Sequence, residues 1–120
     1  MLYAILCYHR EAIVATWTQE QDEAVMAEHA AVGQQLAAQG KLGPVARLMP
    51  TRTAATLRIG RQPLVLDGPF AETKEQLLGF YVVDCASLEE ATEVARPFAQ
   101  EGGTLEIRPI HTFIPGSFAQ

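Results

Sequence analysis

Histidine is the residue type in this chain best suited to proton transfer at neutral pH, and the sequence contains 3 histidines. An imidazole has an ordinary pKa of about 6.5, so one side chain can both accept and release a proton. His29 recurs with Val25, Val32 and Leu36 at helical spacing, which places it on the apolar face of a predicted helix. We therefore predict that His29 is a general acid or base. The alternative is a histidine packed between helix and sheet with one satisfied hydrogen bond.

Asp67 is the predicted partner of His29. A carboxylate that accepts a hydrogen bond from an imidazole fixes the tautomer of the ring and raises its basicity. Asp67 also stands at the end of a predicted strand, directly before Gly68 and Pro69. An aspartate in that position commonly bonds to the backbone of its own turn. Both roles are open at the level of the sequence.

The segment that follows Asp67 is a candidate binding loop. Glycine permits positive φ and proline fixes φ, so residues 67–69 end the strand and form a turn. We expect Phe70 to anchor this loop in the core, and Glu72 and Lys74 to present charge to a bound molecule. The alternative is a solvated, charged loop tip.

The other histidines and the cysteines form no metal or cofactor motif. His9 and His111 each end a predicted strand, where we expect exposed or rim positions, and their separation matches no metal-binding pattern. Cys7 and Cys85 lie in apolar segments without C-x-x-C spacing, which favours buried, reduced thiols. The sequence also lacks nucleotide-binding glycine motifs and a G-x-S-x-G elbow, so we expect no cofactor.

Arg108 is the candidate for contact with an anionic ligand. It shares one face of the last predicted strand with Glu106, whereas Leu105 and Ile107 take the opposite face. A cross-strand ion pair, which contributes little if it is exposed, is the simple interpretation. If that face lines an interface between two chains, the guanidinium is placed to meet a negatively charged group instead.

The elements that must position these residues follow the order β-α-β-β-β-β-α-β. The predicted strands cover residues 2–8, 45–49, 54–59, 64–66, 78–84 and 104–110. A capping box of Thr18 and Gln21 begins the first helix, and Gly40 ends it. A second capping box, of Ser87 and Glu90, begins the other helix.

The predicted helices carry too little apolar surface to cover both faces of the sheet. The second helix has one apolar stripe, formed by Leu88, Ala91, Ala95 and Phe98. Two helices with one stripe each cover only one face of a sheet. Residues 2–8 and 78–84 are nevertheless apolar on both faces. A second copy of the chain is the simplest cover, and we therefore predict a symmetric homodimer.

Composition places the chain among small globular proteins. Its 120 residues are 48% hydrophobic, which predicts a single folded domain over residues 1–120. The formal net charge of −5 argues against nucleic acid as a partner, because nucleic-acid binders carry basic patches. No apolar run is long enough for a membrane helix, and no secretory signal begins the sequence. We expect a cytoplasmic protein with no membrane partner.

Several segments resemble the YCII-related family, and specifically its DGPF branch. They are residues 67–75, 79–84, 87–91 and 106–110, and with the first strand and helix the likeness covers nearly the whole chain. The resemblance implies an α+β fold, a ferredoxin-like antiparallel sheet with two helices on one face, that dimerises into an α/β barrel. It also implies an active site built from a His and an Asp. The family's histidine comes from the first helix, which His29 matches by position.

Two functions follow from these observations. The first is a cofactor-independent enzyme in which His29 moves a proton and Asp67 orients it, on a small cyclic or aromatic substrate. The resemblance supports this function because the family is related in architecture to barrel enzymes that act on aromatic rings and lactones. The second is a non-catalytic regulatory module that binds a small ligand or a protein through loop 67–75. The resemblance offers support here too, since DGPF proteins are often encoded beside sigma factors.

Overall fold

Six strands and three α-helices make up residues 1–118, the part of the chain that the structure, a computed structural model, describes. The strands are β1 (Leu2–His9), β2 (Leu42–Arg47), β3 (Ala55–Arg58), β4 (Leu64–Asp67), β5 (Gln76–Asp84) and β6 (Thr104–Pro109). The helices are α1 (Glu11–Val14), α2 (Gln19–Ala38) and α3 (Leu88–Ala95), and 3-10 turns lie at Thr51–Thr53 and Arg96–Phe98. The single-turn helix α1 is an addition to the predicted order, because four residues are too few to show a helical period.

Four of the strands form one antiparallel sheet in the order β2-β5-β1-β6. β1 lies in its interior, where Ile5 stands opposite Tyr81 of β5 and Ile107 of β6. An interior position in the sheet is the one expected for a strand that is apolar on both faces. The predicted α+β class is confirmed, and the antiparallel sheet with its helices is consistent with a ferredoxin-like fold.

The core lies between one face of the sheet and the two longer helices. The sheet contributes Tyr3, Ile5 and Val83, and the helical segments contribute Leu36, Ala91, Ala95 and Phe98. Small alanines on α3 let the helix approach the sheet closely, while Phe98 fills the space beyond its end. The core therefore holds α2 and the segment after α3 against the same face of the sheet.

The opposite face of the sheet is also apolar. Leu2, Ala4 and Leu6 alternate with the buried Tyr3 and Ile5, so they point away from the helices. The two-sided pattern predicted for β1 is thus present in the structure. Within residues 1–118 the sheet does not close into a barrel.

Helix capping agrees with the sequence at α2 and partly at α3. At α2 the Gln21 backbone N–H donates to Thr18 Oγ1 at 3.1 Å, and the Thr18 N–H donates to the Gln21 side chain at 2.8 Å. Ser87 accepts from the Glu90 N–H at α3. The Glu90 carboxylate, however, binds Lys41 and the Ala86 N–H, so the second capping box lacks its reciprocal bond. The better-capped helix is the one that carries His29.

Strands β3 and β4 form a separate two-stranded hairpin, with Thr56 opposite Leu66. Large apolar side chains of this hairpin and the loop after it are exposed: Leu57, Ile59, Leu64, Val65, Leu66 and Phe70. The prediction that Phe70 anchors the loop in the core is wrong, because its side chain is 75% exposed. The hairpin is not hydrogen-bonded into the main sheet, and its own apolar side chains are exposed as well, so it offers Phe70 no core to pack into.

Two further local predictions differ from the structure. The strand predicted for residues 45–49 lies at Leu42–Arg47, because the chain enters the sheet at Leu42 and then changes register before Val45. Pro44 stands at that irregularity, where a residue without an N–H is tolerated. Leu88, predicted on the buried stripe of α3, is 46% exposed. It begins the helix one turn before Ala91, the first buried position.

Candidate functional site

A cavity of about 160 Å³ lies beside His29, between α2 and the sheet. Its walls are mainly apolar and aromatic, and they include Trp17, Val25, Met26, Tyr81 and Phe98. Comparable apolar cavities of roughly 150 Å³ in other proteins bind a single benzene ring. We call this space the His29 cavity, and its size fits one small ring.

His29 reaches the His29 cavity from the middle of α2 with a half-buried imidazole. Its Nδ1 lies 3.0 Å from the hydroxyl oxygen of Tyr81, and its Nε2 lies 3.2 Å from the side-chain nitrogen of Gln100. Burial lowers the pKa of His29 below its ordinary value of 6.5; Glu28 and hydrogen bonding to the Phe98 backbone oppose this effect, and Arg47 adds to it. The imidazole is therefore largely neutral at pH 7, the form in which it can accept a proton.

Tyr81 is held in place by aromatic packing. Its ring stacks on Phe98 with centroids 4.0 Å apart and an interplanar angle of 24°. Phe98 also contacts the His29 ring edge-on, at 5.4 Å between centroids. Burial raises the pKa of Tyr81 to about 12, so its hydroxyl keeps its proton at neutral pH. The hydroxyl can therefore act as a hydrogen-bond donor.

The structure does not bring Asp67 to His29 within one chain. Asp67 is an exposed residue of β4, opposite Ala55 in the hairpin, and it does not line the His29 cavity. Among residues 1–118 the imidazole is bonded to Tyr81 and Gln100 instead. Hydrogen bonds to two neutral side chains, Tyr81 and Gln100, thus replace the expected bond between His29 and a carboxylate.

The other predicted binding residues also lie outside the His29 cavity. Glu72 and Lys74 are exposed in the loop after β4, as is Phe70. Arg108 lies beside Ala4 on the face of the sheet that points away from the helices, where it forms an ion pair with Glu106 at 2.8 Å. The prediction of a cross-strand ion pair is therefore wrong, because Arg108 pairs with Glu106 of its own strand.

His9 is a correction, because it is 3% exposed rather than at the rim. Its Nδ1 accepts a hydrogen bond from the Arg10 N–H at 2.8 Å, and its Nε2 lies 3.0 Å from the Glu101 carbonyl oxygen. Both ring nitrogens are satisfied by backbone groups, so the imidazole can be buried without cost from an unpaired polar atom. His111 is exposed, as predicted.

A larger groove of about 740 Å³ adjoins the His29 cavity and shares Trp17 and Arg47 with it. Arg47 bonds Asp22 of α2 through both terminal nitrogens, at 2.8 and 3.3 Å. The guanidinium holds the pKa of Asp22 below its ordinary value, so the pair is charged at neutral pH. This ion pair joins α2 to β2 at the boundary between the two spaces.

Cys7, which lines the His29 cavity, is unreactive at neutral pH. Burial raises the pKa of Cys7 to about 11, which leaves the thiol protonated at neutral pH. A thiol, unlike a thiolate, is a poor nucleophile and a poor metal ligand. Among residues 1–118 no group of three or more His, Cys, Asp and Glu side chains is arranged to hold a metal ion.

Sequence reasoning located His29 but missed most of its surroundings. Gln100 lies in a loop 71 positions further along the chain, with no motif to mark it. At the level of the sequence Tyr81 fits core or interface packing, with a ring-binding pocket as the alternative, and neither predicts a bond to a helix residue. Arg47 gave no signal because an ion pair between a helix and a strand depends on how they dock.

The fold and the site define a class: a small α+β protein with an antiparallel sheet and a half-buried histidine on the wall of a ring-sized cavity. The sequence profile of the YCII-related domain matches residues 1–114, and the chain belongs to this family. It is 52% identical over 120 residues to an uncharacterised protein of Rhizobium meliloti (strain 1021), and the alignment covers 97% of each chain. Within residues 1–118, no helix is both long and apolar enough to span a membrane.

Proposed function

We propose that this chain, as a DGPF-type member of its family, is a cofactor-independent enzyme in which His29 transfers a proton on a small cyclic or aromatic substrate. One observation carries the proposal: a half-buried imidazole, neutral at pH 7, lies on the wall of an apolar cavity. Protein sites for small molecules are mainly apolar with a few polar groups that fix orientation. The His29 cavity has this character.

The size of the His29 cavity supports a substrate of one ring. A volume of about 160 Å³ accommodates a benzene-sized body. Aromatic walls suit such a body, since Trp17, Tyr81 and Phe98 offer ring faces and edges for contact. The adjoining groove leaves space for a substituent on the ring.

The atom that accepts the proton in this proposal is Nε2 of His29. Gln100 holds that nitrogen by one neutral hydrogen bond of 3.2 Å, and replacing such a bond costs on the order of 1 kcal/mol. A substrate C–H bond placed there gives its proton to Nε2 and leaves its electron pair on the substrate. Return of the proton to another atom gives an isomerisation, and loss of a leaving group gives an elimination.

Hydrogen exchange tests this function with a panel of compounds rather than one chosen substrate. Single-ring compounds with an acidic C–H bond are incubated in D₂O with the protein, and deuterium uptake is followed by NMR. We expect uptake with one or more of them, reduced roughly 100-fold or more in His29→Gln, the typical size of general acid–base catalysis. Equal uptake with the wild-type protein and His29→Gln would overturn the proposal.

A homodimer is part of the proposal. Leu2, Ala4 and Leu6 give the outer face of the sheet an apolar centre, and Glu106 and Arg108 lie beside it. Around a two-fold axis such a surface is self-complementary, because each charge of one copy can meet the opposite charge of the other. These features support a second copy of this chain as the partner of that face.

A second candidate function, a non-catalytic binding module, is favoured by the β3–β4 hairpin. Its exposed apolar side chains and the exposed Phe70 lie beside the charged residues Glu72 and Lys74. Contiguous exposed apolar surface is typical of interaction sites. Binding through this surface would be unaffected by His29→Gln, whereas the enzymatic function requires the imidazole. The same variant therefore separates the two functions.

A further inference from the structure

Both ring nitrogens of His29 are in hydrogen bonds, and the partners decide which nitrogen carries the proton. The Gln100 side-chain nitrogen lies 3.2 Å from His29 Nε2. An amide NH₂ group can only donate, so Nε2 must accept. A neutral imidazole has a single N–H, which therefore lies on Nδ1 and donates to the Tyr81 oxygen at 3.0 Å.

This arrangement leaves the Tyr81 hydroxyl proton available to a ligand. The Tyr81 oxygen accepts from His29, and among residues 1–118 the hydroxyl has no other hydrogen-bond partner. The side chain lines the His29 cavity, and its stacking on Phe98 limits its rotation. A protonated hydroxyl with an unused donor therefore lies on a mainly apolar wall, close to the imidazole.

We propose that Tyr81 is a catalytic residue that donates a hydrogen bond to the carbonyl oxygen of a single-ring substrate, and that Gln100 is the positioning residue that sets the required tautomer of His29 before the substrate binds. The inference rests on the proposed function of His29 and names the substrate class: a ring that carries a carbonyl group. Such a ring matches the size of the cavity and uses the donor that Tyr81 leaves unused.

The chemistry balances without an oxidant, a reductant or a second substrate. A proton on the carbon next to the carbonyl moves to His29 Nε2, which the substrate has reached by displacing the Gln100 amide. The electron pair of the C–H bond becomes the C=C bond of an enolate, and the carbonyl π pair moves to oxygen. Tyr81 stabilises this oxygen by its hydrogen bond. The imidazolium then returns the proton to the same carbon or to a conjugated one.

The tautomer is tested first, by NMR of the ¹⁵N-labelled full chain near pH 8. We expect His29 to be protonated on Nδ1 in the wild-type protein and on Nε2 in Gln100→Glu, whose carboxylate can only accept. Gln100→Leu, which neither donates nor accepts, is the matched control and removes the preference imposed by position 100. A wild-type imidazole protonated on Nε2 would overturn the inference, as would an Nδ1 tautomer that persists in Gln100→Glu.

The hydroxyl donor is tested with two probes of the same shape, cyclohexanone and methylenecyclohexane. They differ in whether a carbonyl oxygen or a methylene group projects from the ring. We expect cyclohexanone to bind roughly 2- to 12-fold more tightly, the size of one neutral hydrogen bond. Tyr81→Phe, which retains the ring that stacks on Phe98, should abolish the difference, and so should Gln100→Glu, in which Tyr81 donates to Nδ1.

Equal affinities for the two probes, or no saturable binding of cyclohexanone, would overturn the assignment of Tyr81. These results are independent of the exchange assay on His29. If the tautomer and the probe preference are as expected but His29→Gln exchanges deuterium as the wild-type protein does, the proposed catalysis fails and the binding site stands. If exchange depends on His29 but the tautomer is reversed, the catalysis stands and the role of Tyr81 fails.

Discussion

At the scale of single residues, the environment of His29 determines what its imidazole can do. A histidine on an apolar helix face is protonated less readily than one in water, because charge is poorly solvated there. Here burial is the main cause of the lowered pKa, and Glu28 offsets part of it. Neutral partners at both nitrogens do not compensate for the buried charge as a carboxylate would. His29 is thus suited to accept a proton rather than to hold one.

The lowered pKa of His29 predicts a stability that depends on pH. Because the folded-state pKa lies below the ordinary 6.5, the unfolded chain binds more protons between these two values. The contribution of His29 to the free energy of unfolding is therefore complete above pH 6.5 and is lost as pH falls through the folded-state pKa. Urea unfolding at several pH values, with wild-type protein and His29→Gln, measures this contribution.

We expect the free energy of unfolding of His29→Gln to fall less than that of the wild-type protein between pH 7.5 and the acidic side of the His29 titration. Glu28 on α2, Arg47 on β2 and Tyr81 on β5 are the ionisable groups that act on this ring or contact it, and all remain in the variant. His111→Gln, at an exposed position, is the control and should follow the wild-type curve. Identical curves for all three proteins would contradict the prediction.

At the scale of elements, α2 is the part that carries the site. Its N-terminus is secured by the reciprocal bonds of Thr18 and Gln21, and Gly40, with φ of 69°, supplies the left-handed turn that follows its C-terminus. The ion pair of Asp22 with Arg47 ties the first turns of the helix to β2. These contacts set the axial position of α2, and His29 follows in the middle of the helix.

The N-terminal cap of α2 should stabilise the fold without affecting the His29 cavity, so its removal should lower stability and leave the cavity nearly unchanged. Thr18→Ala leaves the Gln21 N–H without its acceptor and should lower the free energy of unfolding by about 1 kcal/mol. Thr18→Ser retains the hydroxyl and should lie close to wild type. Denaturant unfolding provides the measurement, and the His29 NMR signals should be nearly unchanged. Equal stability of the Ala and Ser variants would show that the cap contributes nothing.

At the scale of the whole molecule, the chain exposes more apolar surface than its own helices cover. One face of the sheet supports the core, while Leu2, Ala4 and Leu6 point the other way. The β3–β4 hairpin stands apart from the main sheet and exposes a second set of apolar side chains. Such surfaces favour association with another chain. This is the physical basis for the proposed homodimer.

The homodimer predicts a mass of twice 13.1 kDa in solution, measured by light scattering after size exclusion. Leu6→Arg places a charge in the apolar centre of the outer face and should shift the protein toward the monomer. Leu57→Arg, in the hairpin at an exposed position, is the matched control for that face. A monomeric wild-type protein would refute the proposed dimer. Dissociation by Leu57→Arg but not by Leu6→Arg would show that the interface lies at the hairpin and not at the outer face of the sheet.

The sequence by itself determined the local part of this protein. The periods of apolar residues predicted both long helices, the interior strands and the two strands β3 and β4, and capping residues placed the start of α2, because these signals act over a few neighbouring positions. The same local signals placed His29 on the inward face of its helix. They failed for Phe70, since nothing nearby in sequence shows that a hairpin lies outside the sheet.

Only the tertiary structure decided what surrounds the imidazole. Tyr81 and Gln100 lie 52 and 71 positions from His29, and they meet it because α2 and the segment after α3 pack on the same face of the sheet. The same packing buried His9 and left Asp67 in the hairpin, away from the histidine that the sequence paired with it. Hydrogen-bond partners across such distances depend on how elements dock, and the docking is set by the volumes of many core side chains together rather than by any short pattern.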